Sequence, residues 1–219
     1  SLNLAPEQLR VLERTHIEFV RAGARLDGSA KARMSEIMQE LASLSTQFSQ
    51  NVLADEAGYE LRLEGEEDLA GLPEFVRAAA KKAGEARGGG ASVITLSRSS
   101  IEPFLQFSTR RDLRETAFRA WVKRGENDGA HDNRPLVPKM LALRLALAKL
   151  LGYDTFAAYK LDDAMAKTPD AVNDLLARVW DAAKPKARAE RTALADLARQ
   201  EGQNIEIEPW DWRYYAEKL

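Results

Sequence analysis

Residues 9–26, Leu9-Arg-Val-Leu12-Glu-Arg-Thr-His16-Ile-Glu-Phe19-Val-Arg-Ala-Gly23-Ala-Arg-Leu26, decide the fold class. Positions 9, 12, 16, 19, 23 and 26 recur at alternating steps of three and four, the stripe of an amphipathic helix and not the period of two of a strand. Pro6 suits the first turn of that helix, where its missing N–H costs nothing. His16 lies within the stripe and is expected to be a packed, hydrogen-bonded core histidine. Asp27-Gly28-Ser29 then interrupts the chain, and Ser29 is placed to cap a second helix. That helix carries Met34, Ile37, Met38, Leu41, Leu44, Phe48 and Val52 on one face. Two long helices with so short a connection are expected to pack antiparallel.

The period changes over residues 59–98. Tyr59 to Leu63 alternates apolar and polar side chains, and Val93 to Leu96 does so more weakly, as short strands do. Leu72-Pro73-Glu74 opens a helix between them that reaches Ala86 and ends at Gly88-Gly89-Gly90. A lone strand pair is marginal in water, so it must lean on helices. Helical spacing returns from Arg110 to Lys123, with Leu113, Ala117, Phe118 and Trp121 inward. It continues from Arg134-Pro135 to Gly152, and from Thr155 to about Ala166. Thr168-Pro169-Asp170 reads as a cap with proline at the first helical position, opening a long helix through Leu175, Leu176 and Val179 towards Leu197. Pro185 is expected to kink or break it. Pro209 opens a last helix whose apolar side includes Tyr214, Tyr215 and Leu219. The expected fold class is mainly α: a multi-helix array over residues 1–219 with a small two-stranded β/α excursion at 59–98.

Composition narrows the function. With 45% apolar and 30% charged side chains, the 219-residue chain has an ordinary globular balance and can bury roughly 70% of its unfolded surface. Lysine and arginine nearly cancel aspartate and glutamate, for a net charge of -2, so the basic footprint of a nucleic-acid binder is missing. Arg110-Arg111 beside Asp112 and Glu115 reads as a solvated helix face. No apolar run has the length of a membrane span, since the Leu141–Leu151 stretch is broken by Arg144 and Lys149. The absence of cysteine removes disulfides, thiolate catalysis and cysteine metal sites together, and fits a reducing compartment.

A search for chemistry returns mostly negatives. The only histidines are His16 and His131, far apart and outside any H-E-x-x-H, whereas a catalytic zinc needs about three protein ligands. His131 lies in a polar loop and reads as solvated. There is no G-x-S-x-G elbow, and Gly88 to Gly90 lacks the Lys-Ser or Lys-Thr of a phosphate loop. Glu66-Glu67 and Asp162-Asp163 are adjacent in sequence, diverge on a helix, and read as solvated pairs. No catalytic or metal-binding residue is assigned, and substrate-binding residues stay unassigned. One concentration stands out: Trp210, Trp212, Tyr214 and Tyr215 behind Pro209. These aromatics are expected to anchor a core or domain interface, with a peptide-binding wall as the functional alternative.

The segment Pro209-Trp-Asp-Trp-Arg-Tyr-Tyr-Ala-Glu-Lys218 resembles the proline–tryptophan–aspartate segment of the thimet oligopeptidase family of zinc metallopeptidases. Leu150-Leu-Gly-Tyr153 running into Met165-Ala-Lys-Thr-Pro169 does so too. Leu44 to Asn51, Arg111-Asp-Leu-Arg-Glu115 and Asp132-Asn133 fall in the same order, so the likeness covers nearly the whole chain. Met165 to Pro169 and the double tryptophan are most like the bacterial peptidyl-dipeptidase (dipeptidyl carboxypeptidase) branch, and oligopeptidase A is next. The resemblance implies a two-lobed, helical, neurolysin-like peptidase with a channel for short peptides. It places zinc in H-E-x-x-H plus a glutamate, all C-terminal to the residues matched, with the motif's glutamate as general base.

On that reading the chain is a non-catalytic fragment supplying scaffold and channel wall. Zinc belongs to the full-length parent, and the chain itself carries no cofactor. Its partner is the remaining catalytic part of the same polypeptide, acting on short peptides in the cytoplasm, with neither nucleic acid nor membrane involved. The start at Ser1 and the stop at Leu219 inside an apolar stripe are expected to be boundaries of a piece. Surface bared by the missing part is expected at the C-terminal aromatics and to favour self-association. The other class of function open to the sequence is a stand-alone helical protein-binding module.

Overall fold

The computed structural model describes residues 4–219. Among them run α1 (Pro6–Arg21), α2 (Gly28–Gly58), β1 (Leu61–Leu63), α3 (Glu74–Glu85), β2 (Ser92–Ile94), α4 (Arg98–Phe107), α5 (Arg111–Val122), α6 (Leu136–Leu150), α7 (Phe156–Leu161), α8 (Pro169–Gln200) and α9 (Pro209–Ala216). The mainly helical class and the small two-stranded excursion are as the sequence predicts, and the strands pair antiparallel. The chain gathers into two units: residues up to Phe48 with Arg134–Val179, and Ser49–Asn133 with Trp180–Leu219.

The first unit has a slender core. Met34 and Ile37 of α2 meet Leu143 and Leu147 of α6, flanked by Leu26, Leu41, Leu44 and Phe156. Asp27, not Ser29, caps α2: its Oδ1 accepts from the Ala30 N–H at 2.8 Å and from the Ser29 hydroxyl at 2.8 Å. Aspartate is the stronger acceptor for an orphan N–H at a helix start. The Ala30 N–H holds the Asp27 carboxyl below its usual value. α1 buries none of its residues, and Leu9, Leu12 and Phe19 are exposed. His16 is therefore exposed too, near the Arg25 guanidinium at 3.3 Å, which corrects the expected core histidine.

Charge ties α1 down instead. Arg21 donates to the Tyr159 carbonyl at 2.6 Å and lies 4.2 Å over the Tyr159 ring, while Arg14 and Arg21 reach Asp163 at 3.3 and 3.6 Å. Asp162 accepts from the Tyr153 hydroxyl at 2.8 Å. The Asp162-Asp163 pair is thus a joint between α1 and the turn after α7, not a merely solvated pair. α7 itself stops at Leu161, short of Ala166.

The second unit holds the larger core. Leu61, Arg62 and Leu63 face Ile94, Val93 and Ser92 across the antiparallel pair. The strands lean on α3, and the approach is so close that a Cβ on Gly84 would lie 1.9 Å from the Ala91 carbonyl oxygen. Leu63, Val76, Ile94, Leu96, Phe104 and Leu105 pack together there. α4 has no counterpart in the sequence reading: Ile101, Phe104 and Leu105 form its buried face, but Pro103 and a serine-rich start hide the period. The loop after α5 is pinned to α2. Asp55 accepts from the Gly125 N–H at 2.7 Å and the Asn127 amide at 2.9 Å, and Asn51 donates to Asn133 at 2.8 Å.

The long helix α8 begins as expected, with the Thr168 hydroxyl accepting from the Ala171 N–H at 3.2 Å. Pro185 neither breaks nor ends it, since helix continues to Gln200. Every residue from Asn173 to Ala193 is exposed, so water can serve the Asp181 carbonyl that the proline leaves without a donor. Leu194 and Ala198 then pack with Ile207, Tyr214 and Tyr215. α9 ends at Ala216, where Glu217 and Lys218 N–H groups close the turn on Arg213 and Tyr215 carbonyls.

Candidate functional site

The C-terminal aromatic segment is the natural place to look for a site. Pro209 at the first position of α9 fixes the entry angle, and the Asp211 carboxylate accepts from the Glu208 N–H at 3.2 Å. Trp210, Asp211, Tyr214 and Tyr215 then fall on the buried side of the helix. Across from them, Arg111 and Arg114 sit three residues apart on one side of α5.

These residues lock together. Arg114 is fully buried and donates to the Ser108 carbonyl at 2.7 Å, the Trp210 carbonyl at 3.2 Å and Asp211 Oδ1 at 2.9 Å. Its guanidinium lies 4.1 Å over the Tyr214 ring. Arg111 grips the same carboxylate through Nε at 3.0 and 3.1 Å and Nη2 at 2.8 Å. Hydrogen bonding to Asp211 raises the Arg111 pKa further above its already high value. Trp210 packs on Phe118 with Arg119 4.8 Å over its ring. Burial pushes the Tyr215 hydroxyl upwards, so it stays neutral in the physiological range.

The arrangement is a structural joint. Both oxygens of Asp211 are engaged, by Arg111 and Arg114, so the buried charges of the cluster are partnered. The tyrosines proposed as a possible peptide wall are internal. Trp212 lines a surface recess with Gln106, Pro209, Arg213, Ala216 and Glu217. The apolar surface expected at these aromatics is thus mostly turned inward. Large exposed apolar side chains stand elsewhere, on α1, on α6 at Val137, Leu141 and Leu145, and on α8.

Other sequence candidates fare as follows. Arg110 pairs with Asp112 at 2.7 Å and with Asp68, close to the expected solvated face, but Arg111 turns inward to Asp211. Arg114 is a site residue that the sequence reading does not single out, although it falls inside the stripe of Leu113, Ala117 and Trp121; a charge within an apolar stripe is the signal that finds it. Glu66 is exposed against Arg77 at 3.1 Å, and His131 is exposed in its loop.

Residues 104–219, more than half of the chain, match the family model described as Peptidase family M3. The chain belongs to this family. The match contains both the Met165–Pro169 and Pro209–Lys218 motifs. This M3 chain is 35% identical to oligopeptidase A of Haemophilus influenzae over 96% of its own length. It is 34% identical to dipeptidyl carboxypeptidase of Salmonella typhimurium and 33% to that of Escherichia coli, over 100% of its length in each case. These identities do not separate the two branches. The M3 chain spans about a third of the length of these relatives, 32% of each.

A zinc centre of the sort the resemblance implies does not fit the donors here. Among the described residues no group of three or more His, Asp or Glu side chains converges as a metal-binding set. A closed or catalytic zinc site needs at least three such ligands. No helix among the described residues is long and apolar enough to cross a membrane.

Proposed function

We propose that this chain is the non-catalytic helical part of an M3 zinc metallopeptidase, forming scaffold and channel wall around a site carried by the rest of the polypeptide. Its substrates are short peptides, and release of C-terminal dipeptides is the reaction proposed for the parent. The observation that carries the reading is that an M3 chain covers 32% of its relatives' length, and among its described residues the histidines and carboxylates do not gather as a metal-binding set. The name dipeptidyl carboxypeptidase borne by relatives at 33–34% identity supports the dipeptide-releasing branch. A cysteine-free composition goes with a cytoplasmic location.

What α5, α8 and α9 contribute on this reading is rigidity. The Arg111–Asp211–Arg114 cluster ties α5 to α9 through buried charge-assisted hydrogen bonds, the kind of fixed support that a channel wall needs. The test is the coding sequence after Leu219. Continuation into H-E-x-x-H supports the proposal; a stop codon at that point favours a stand-alone binding module, for which the exposed apolar row of α8 is the feature in favour.

A further inference from the structure

The end of α1, the turn behind it and the first turns of α2 frame an apolar recess of about 330 Å³ that belongs wholly to the first unit. Met34, at 7% exposure, forms its floor, and the more exposed Phe19 and Met38 stand on the α1 and α2 sides. Gly23, at φ +90°, closes one end. A Cβ there would lie 2.9 Å from the Met34 sulfur, so glycine is what lets the turn sit against that side chain. Lys31, Met34, Ser35 and Met38 follow steps of three and four along one face of α2, so the groove runs roughly 10 Å along the helix.

The charge in this recess is unmatched. Lys31 is the one ionic side chain that lines it, and it makes no ion pair among the described residues. The neighbouring Asp27 carboxyl is lowered first by the Ala30 N–H and last by Lys31. That carboxylate is already committed to capping α2, accepting from the Ala30 N–H and the Ser29 hydroxyl. Methionine side chains are flexible and polarisable, and adapt to whatever apolar group they meet. An adaptable apolar groove beside a free ammonium fits a ligand that joins bulky apolar side chains to a carboxylate. Its length of about two helical turns suits side chains one turn apart on an amphipathic helix. Glu18 and Glu36, close to the recess in sequence, keep its surroundings mixed in charge, unlike the lysine- and arginine-rich face that lies on a lipid surface.

We propose that this recess docks an acidic amphipathic peptide segment of a partner protein, with apolar side chains on Phe19, Met34 and Met38 and a carboxylate on the Lys31 ammonium. The inference is independent of the peptidase reading above. The chain's four methionines make the test direct. Met34 and Met38 line the recess, whereas Met140 lies on α6 and Met165 in the turn before α8. The chain, labelled at its methionine methyl groups, is titrated with a capped amphipathic peptide carrying two leucines one helical turn apart and a glutamate on either side. The control is the same peptide with glutamine for glutamate. The expected result is movement of the Met34 and Met38 signals, with Met140 and Met165 still, and tighter binding of the glutamate peptide. Lys31→Gln should weaken that peptide about two- to fivefold, the share of one exposed ion pair, and leave the glutamine peptide unchanged. Phe19→Ser, at a position 65% exposed, should weaken both about tenfold. Unmoved Met140 and Met165 signals show that each variant is folded, and the unaltered chain with the two peptides decides the matter if one is not. Still Met34 and Met38 signals at about millimolar peptide overturn the inference. Equal affinity for the two peptides overturns it as well. Movement of the same two signals on concentrating the chain without peptide assigns the recess to a second copy and also overturns it.

Discussion

Replacing Asp211 by alanine isolates the joint between α5 and α9. The Asp211 and Arg114 side chains are 0% and 2% exposed, so the variant leaves a buried guanidinium without its counter-charge. Breaking a buried pair from one side costs about 3–5 kcal/mol, because the remaining charge stays desolvated. Arg111, at 37% exposure, can turn to water, and its share is about 0–1 kcal/mol. Against a total stability of about 5–15 kcal/mol the loss is large. With a urea slope of about 2 kcal/mol per M, a 4 kcal/mol loss lowers the midpoint by about 2 M. Urea titration followed by far-UV circular dichroism and tryptophan fluorescence reads this directly. Arg111→Ala should lower the midpoint by less than a third as much. Arg114→Met combined with Asp211→Leu removes both buried charges and should recover more than half of the loss. A shift below about 0.5 M for Asp211→Ala, at an unchanged slope, refutes the reasoning, since the pair would then be making no net difference between folded and unfolded chain.

The remaining predictions are smaller in scope. Gly84→Ala should abolish or severely weaken folding of the strand-bearing unit, its Cβ meeting the Ala91 carbonyl at 1.9 Å, whereas Gly89→Ala, whose Cβ would lie 3.8 Å from the Gly84 carbonyl oxygen, should leave thermal stability unchanged; differential scanning calorimetry separates the two. Phe104→Ala, at a position with 0% exposure, should cost about 3–5 kcal/mol in the same urea titration. Burial raises the hydroxyl pKa values of Tyr59 and Tyr215 above the ordinary 10.0. Below pH 10 both states hold these protons and stability is flat; above it the unfolded chain releases them first, so stability falls as pH rises towards the folded values. Urea midpoints between pH 9 and 11 check this, and Tyr59→Phe with Tyr215→Phe should flatten the slope. The lowered Asp27 carboxyl acts in the opposite window: its contribution to the α2 start is present above its ordinary value of 3.8 and is lost as pH falls through the lower folded value. Asp27→Asn should therefore remove part of the acid-side slope in a titration followed by circular dichroism.

How much of this was legible in the sequence follows from what each signal depends on. A helix with a clear 3–4 period, such as α5, and the alternating strand at 61–63 are legible locally, because their faces are set by their own spacing. α4 is not: Pro103 and Ser99-Ser100 mimic a loop, and only burial of Ile101, Phe104 and Leu105 against neighbours far along the chain stabilises it as helix. The charged joints were missed for a related reason. Arg111 looks solvated beside Asp112 and Glu115, and its partner Asp211 stands one hundred residues away. The same holds for Arg14 and Arg21 with Asp163. His16 differs the other way: its stripe is real, but only the end beyond α1, Gly23 and Leu26, meets the Met34 side of the first core, while the part within α1 buries no residue. The aromatics were correctly read as anchors, yet their exposed counterpart lies on α8, where periodicity alone cannot tell a filled face from a bare one.

The proposal at stake is that this M3 chain supplies scaffold and a further part of a longer polypeptide supplies the chemistry. The measurement that tests it is hydrolysis of a short peptide by the purified chain, with products resolved by mass spectrometry, in the presence of zinc and again after chelator. The account predicts no cleavage under either condition, and chelator-sensitive cleavage by the polypeptide that continues past Leu219. Chelator-sensitive cleavage by the 219-residue chain itself would contradict it.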